Sequence, residues 1–79
     1  MDWRERIERD PEVLGGKPKI KGTRISVELI LSRLGEGWTI EQLIEAYPHI
    51  TRDQIEACLT YAAESIATDE VVDVPRPAA

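Results

Sequence analysis

The chain has 79 residues, enough for one domain but not for a deep core, and a domain this small buries only about 60% of the surface its unfolded chain exposes. It carries a net charge of −5 and a single cysteine, which excludes an internal disulfide and argues against a generic, basic nucleic-acid binder. No run is long or apolar enough for a membrane span, and the opening MDWRERIERD has no apolar stretch of the signal-peptide kind, so a cytoplasmic protein without membrane attachment is expected.

The charge is unevenly placed. Residues 1–35 hold eight Lys/Arg and six Asp/Glu, a balance of +2, whereas residues 36–79 hold two and nine, a balance of −7. A local basic patch can still act at short range. The acidic half suits a basic partner protein.

Residues 1–12 mix Trp3 and Ile7 with charges of both signs, and Pro11 stops any helix; they are expected as an N-terminal surface arm pinned by Trp3. Residues 13–68 are expected as the folded unit. Its first stretch, LGGKPKIKGTRISV from Leu14 to Val27, concentrates Gly15, Gly16 and Gly22 with Lys17, Lys19, Lys21 and Arg24. Pro18 pushes Lys17 towards extended geometry, and Ile20 and Ile25 are β-branched. The pattern predicts two short extended arms with a turn near Lys21–Thr23. Two readings are open: a loop that packs Ile20 and Ile25 under the helices, or a basic arm that meets a partner.

Ser26 then caps a helix over Val27–Gly35, with Val27, Ile30, Leu31 and Leu34 on one face. Thr39 and Gln42 form a capping box for a second helix, which carries Ile40, Leu43, Ile44 and Tyr47 and stops before Pro48. Thr51 and Gln54 form another for a third helix from Arg52 to about Thr68, with Ile55, Leu59, Ala62 and Ile66 as its apolar stripe. These residues, with Ile20 and Ile25, are the expected core. Residues 69–79 change character: Val71, Val72 and Val74 sit among acids and prolines, either as a loosely held terminus or as an extended segment that adds to a partner's sheet edge.

The architecture is therefore mainly α, a three-helix bundle of helix-turn-helix type preceded by a short β arm or hairpin. Two capped helices joined by a short turn have the spacing of a DNA-reading unit. Arg52 and Gln54 suit base edges and phosphates, while Asp53 and Glu56 oppose phosphate. A small core and a β-branched arm around Ile20–Ile25 also predict a homodimer paired across a two-fold axis.

Chemistry is sparse. His49 reads as a solvated turn residue and Cys58 as a small core hydrophobe, and no ligand spacing for a metal is present. The glycine-rich run lacks phosphate-loop spacing, and Glu41 with Glu45 reads as a solvated helix face. No catalytic constellation and no cofactor are expected.

Asp10, Pro11, Gly15 to Pro18, Gly22 to Ile25, Gly37, Thr39, Tyr47, Pro48, Thr51, Tyr61 and Ala62 carry a pattern across roughly residues 10–63. It resembles the small prokaryotic domain-of-unknown-function family four-three-three. The resemblance implies a homeodomain-like helical fold and a VapB-like antitoxin role, paired with a PIN-like toxin that is a metal-dependent ribonuclease. The expected activity is thus a non-catalytic antitoxin that binds such a toxin and operator DNA, the latter through Lys17, Lys19, Lys21, Arg24, Arg52 and Gln54. Val71, Val72 and Val74 are the expected partner contacts. A stand-alone transcriptional regulator and a structural adaptor are the competing readings.

Overall fold

The protein is described by a computed structural model covering residues 2–67. Three helices, α1 (Val27–Gly35), α2 (Ile40–Ala46) and α3 (Arg52–Ser65), follow two very short strands, β1 (Ile7–Glu8) and β2 (Lys19–Ile20). Short 3-10 turns at Trp3–Glu5 and Leu14–Gly16 complete the path. The fold is mainly α, with a small antiparallel β pair at its N-terminal end.

Each helix starts where its capping chemistry lies. The Ser26 hydroxyl accepts from the Leu29 N–H at 2.9 Å. Thr39 with Gln42, and Thr51 with Gln54, each close both halves of a capping box, satisfying two backbone donors that the helix start leaves unpaired. At the corner between α1 and α2, Arg33 reaches Glu36 at 3.1 Å and lies over the Trp38 ring, 5.4 Å from its centroid. Ile50, buried in the turn before α3, plugs the junction of α2 and α3.

The turn after β2 forms as the sequence predicts. Gly22 adopts φ +76°, a conformation glycine takes without a Cβ penalty. The Thr23 hydroxyl donates to the Ile20 carbonyl at 2.8 Å and accepts from the Ile25 N–H at 3.0 Å. The chain then returns alongside β2, with Lys19 bridged to Ser26 and the Ile20 N–H donating to the Ile25 carbonyl.

Three expectations are corrected. Residues 1–12 are more than a surface arm: Ile7 pairs with Ile20 across the sheet and is buried in the core. Second, β2 has β1 on one side and Ile25–Ser26 on the other, so β2 itself has no free edge for a second copy among the described residues.

The third concerns the buried face of α3. Ile55 and Cys58 are buried as expected, but Leu59 is 42% exposed and Ile66 64% exposed, while Ala57 is buried. The N-terminal segment accounts for this. Trp3 meets Tyr61 edge to face, with centroids 4.8 Å apart, and so covers the flank of α3 that carries Ala57 and Tyr61. The core face is drawn towards that flank, and Leu59 turns outward. Helix α3 also ends at Ser65, before Thr68.

Candidate interaction surfaces

Of the four cations between Lys17 and Arg24, one is built into the fold and another is held in a surface ion pair. Lys19 is 3% exposed, and its ammonium donates to Glu8 Oε2 at 2.5 Å. Glu8 also accepts from the Gly22 backbone N–H at 3.4 Å. The hydrogen bond from Lys19, reinforced by that from Gly22, holds the Glu8 carboxyl below its usual range against the opposing effect of desolvation. Lys19 is thus an internal strut of the β pair, not a phosphate contact; the DNA-binding expectation for it is wrong because β1 supplies a carboxylate beneath it. Lys17 is exposed but paired with Glu28 at 3.0 Å. Lys21 and Arg24 remain exposed at the turn, with no ion-pair partner among the described residues.

The start of α3 is equally occupied. The Arg52 guanidinium pairs with Glu41 of α2. This contact and a backbone hydrogen bond, the larger influence, lower the Glu41 carboxyl. The Gln54 amide oxygen accepts from the Thr51 N–H at 2.8 Å as part of the capping box. Bidentate reading of adenine uses both ends of an amide, so this Gln54 rotamer presents only its nitrogen. Asp53 faces a half-buried Arg6 at 3.8 Å, a long surface pair worth little on its own. The outward side of α3 is made of Asp53, Glu56, Leu59, Thr60, Ala63 and Glu64, all exposed. The carboxylates of this side repel phosphate, and the exposed leucine offers an apolar anchor to a protein.

A second surface lies between α1 and α3. Val27, Leu31, Tyr61, Ala62 and Ile66, with Pro18, line an apolar groove of about 500 Å³. Lys17 and Glu28 stand at its rim. The Arg9 guanidinium donates to the Tyr61 hydroxyl at 3.0 Å and has no ion-pair partner among the described residues. Sequence patterning missed this groove because it assigned Leu59, Ala62 and Ile66 alike to the core.

Cys58 is buried within α3, and desolvation pushes its thiol up to about 12, which leaves it inert. His49 is exposed in the turn before α3. No group of three His, Cys, Asp or Glu side chains among the described residues is arranged to hold a metal ion, and no described helix is long and apolar enough to cross a membrane. Val71, Val72 and Val74 lie outside the described residues.

Comparison with known proteins places this arrangement. The chain is 32% identical over 59 residues to uncharacterized protein y4eO of Sinorhizobium fredii (strain NBRC 101917 / NGR234), covering 75% of this chain and 27% of that protein. It therefore spans about a quarter of the length of that curated relative. Its fold is similar to the crystal structure of a DUF433 member protein from Anabaena variabilis ATCC 29413, with a TM-score of 0.74 and 27% identity, over 80% of this chain and 62% of that one. The model of the family described as "Protein of unknown function (DUF433)" matches residues 7–62, from β1 through the third turn of α3, and the chain belongs to that family.

Proposed function

We propose that this protein is a non-catalytic antitoxin of a type II toxin–antitoxin pair, and that it holds a PIN-like ribonuclease toxin through the outward side of α3. The observation that supports this is the exposed Leu59 on the outward side of α3 that also carries Asp53, Glu56 and Glu64, with the cation at the start of the helix, Arg52, already paired to Glu41. A ribonuclease handles a polyanion and so has a basic substrate surface. An acidic helix face bordered by an exposed leucine complements such a surface in charge and gives it a desolvated contact. The same face opposes entry into a DNA groove.

Operator DNA is a second reading, supported by Lys21 and Arg24, which project from one turn without ion-pair partners among the described residues. DNA then meets the β turn and not the start of α3. A stand-alone regulator would use the same turn without any toxin.

The test is co-expression with a PIN-like ribonuclease. The expected result is a stable complex in which the nuclease is silent. Leu59→Lys, which leaves the core intact, is expected to release activity. A nuclease that stays active beside the wild-type chain, or a complex indifferent to Leu59→Lys and Glu56→Lys together, overturns the assignment of α3.

A further inference from the structure

The corner between α1 and α2 holds a hollow of about 550 Å³, lined by Glu36, Gly37, Trp38, Gln42, Glu45 and Ala46. The chain turns there at Gly37, whose φ of +100° would strain any residue with a side chain. The Trp38 backbone N–H then donates back to the Arg33 carbonyl at 3.0 Å. Trp38 is thereby set half-buried against the core, its ring held in place. The Arg33 guanidinium lies over that ring, 5.4 Å from its centroid, yet Arg33 does not line the hollow. The part of the indole that borders the hollow is therefore free of the guanidinium.

The charged groups of the wall have one sign. No Lys or Arg lines the hollow. Glu36 gives Oε1 to Arg33 at 3.1 Å and keeps its second oxygen. Glu45 is exposed and has no ion-pair partner among the described residues. Gln42 commits its amide oxygen to the Thr39 N–H at 2.8 Å, so its amide nitrogen is left as a donor. A ring face and a carboxylate attract a cation in the same sense, one through the ring quadrupole and the other through its charge. A guanidinium suits such a wall better than an ammonium, because it is planar, stacks on indole and meets a carboxylate as a fork. The Gln42 donor beside it fits a peptide carbonyl, so the cation that matches the whole wall is an arginine within a polypeptide.

We propose that the hollow at the corner of α1 and α2 receives an arginine side chain of a basic protein partner, with the guanidinium against Trp38 and paired to Glu45. The carbonyl of the same segment meets the Gln42 amide nitrogen. This site is separate from the outward side of α3 and does not depend on Leu59 or on the partner's being a nuclease.

Titration of the full chain with the blocked tripeptide acetyl-Gly-Arg-Gly-amide, read on the indole N–H resonances of the two tryptophans, tests it. Trp38 is expected to shift at millimolar peptide while Trp3, packed on Tyr61, stays in place. The citrulline counterpart, equal in shape but uncharged, is expected to leave Trp38 unmoved, and the lysine counterpart to bind more weakly than the arginine one. Glu45→Gln, at an exposed position, is expected to weaken the arginine peptide about two- to fivefold. Ala46→Leu, which fills the hollow from the exposed end of α2, is expected to abolish binding with the melting transition retained. A Trp38 resonance indifferent to the arginine peptide overturns the site. Equal shifts from the citrulline peptide overturn its assignment to a cation. Affinity unchanged in both variants overturns the hollow as the place of binding. Ethylguanidinium that binds as tightly as the tripeptide overturns the protein partner in favour of a small guanidino compound.

Discussion

Lys19 shows how far the meaning of a residue depends on what lies beneath it. In sequence it is one of four cations in a short basic run; in the fold it is sealed against Glu8. Burying a cation is costly unless a carboxylate meets it, and here β1 brings that carboxylate into register, Glu8 opposite Lys19. The Glu8 carboxyl is held below its ordinary value by Lys19 first and by the Gly22 N–H after it. A carboxyl depressed in the folded state stabilises the protein at pH values above its unfolded pKa. That contribution fades as pH falls through the unfolded and then the folded value. Thermal melts from pH 7 down to pH 2 are expected to show an acid limb that Glu8→Gln flattens, with a lower Tm for Glu8→Gln at neutral pH. An acid limb identical in the two proteins would remove Glu8 from the account.

At the scale of elements, the sequence was most informative where local chemistry decides the structure. Helix α1 spans Val27–Gly35 as the apolar spacing and Ser26 predict, and both Thr–Gln capping boxes close. The strands of the β pair are two residues each, too short to carry any alternation, so the Ile7–Ile20 pairing was not legible. The rotation of α3 was hidden for a different reason: its apolar residues span more than one face, and the long-range contact with Trp3 selects among them. As a result, two leucines that looked equivalent in sequence are expected to behave differently. Leu43 is fully buried in α2, so Leu43→Ala is expected to cost about 2–5 kcal/mol. Leu59 is exposed on α3, and Leu59→Ala is expected to fall within about 0.5 kcal/mol of wild type. Chemical denaturation of the two variants reads both. Equal losses would return Leu59 to the core and, with it, withdraw the outward anchor from α3.

For the whole molecule, the balance of charge sets what can approach and from where. The net charge of −5 repels nucleic acid at long range, and the fold internalises or pairs much of the positive charge that the N-terminal half contributes. Of the six residues the sequence nominated for DNA, Lys19 is buried, Lys17 and Arg52 are in ion pairs, and the Gln54 amide oxygen serves a cap. Lys21 and Arg24 are left at one turn. If operator DNA is bound, those two cations supply the attraction, each phosphate contact releasing counterions and making affinity fall with salt. Lys21→Ala/Arg24→Ala is then expected to weaken binding to all sequences alike and to flatten the salt slope by roughly one unit per lost contact. Glu56→Lys reverses a repulsion on α3 and is expected to raise affinity only if α3 also faces the duplex. Mobility-shift titrations at several salt concentrations, with DNA from upstream of the gene, distinguish these arrangements. Binding that survives the Lys21/Arg24 double substitution but responds to Glu56→Lys would move the interface from the turn to α3. Binding by neither the wild type nor Glu56→Lys at low salt would leave the acidic side of α3 to a protein partner alone.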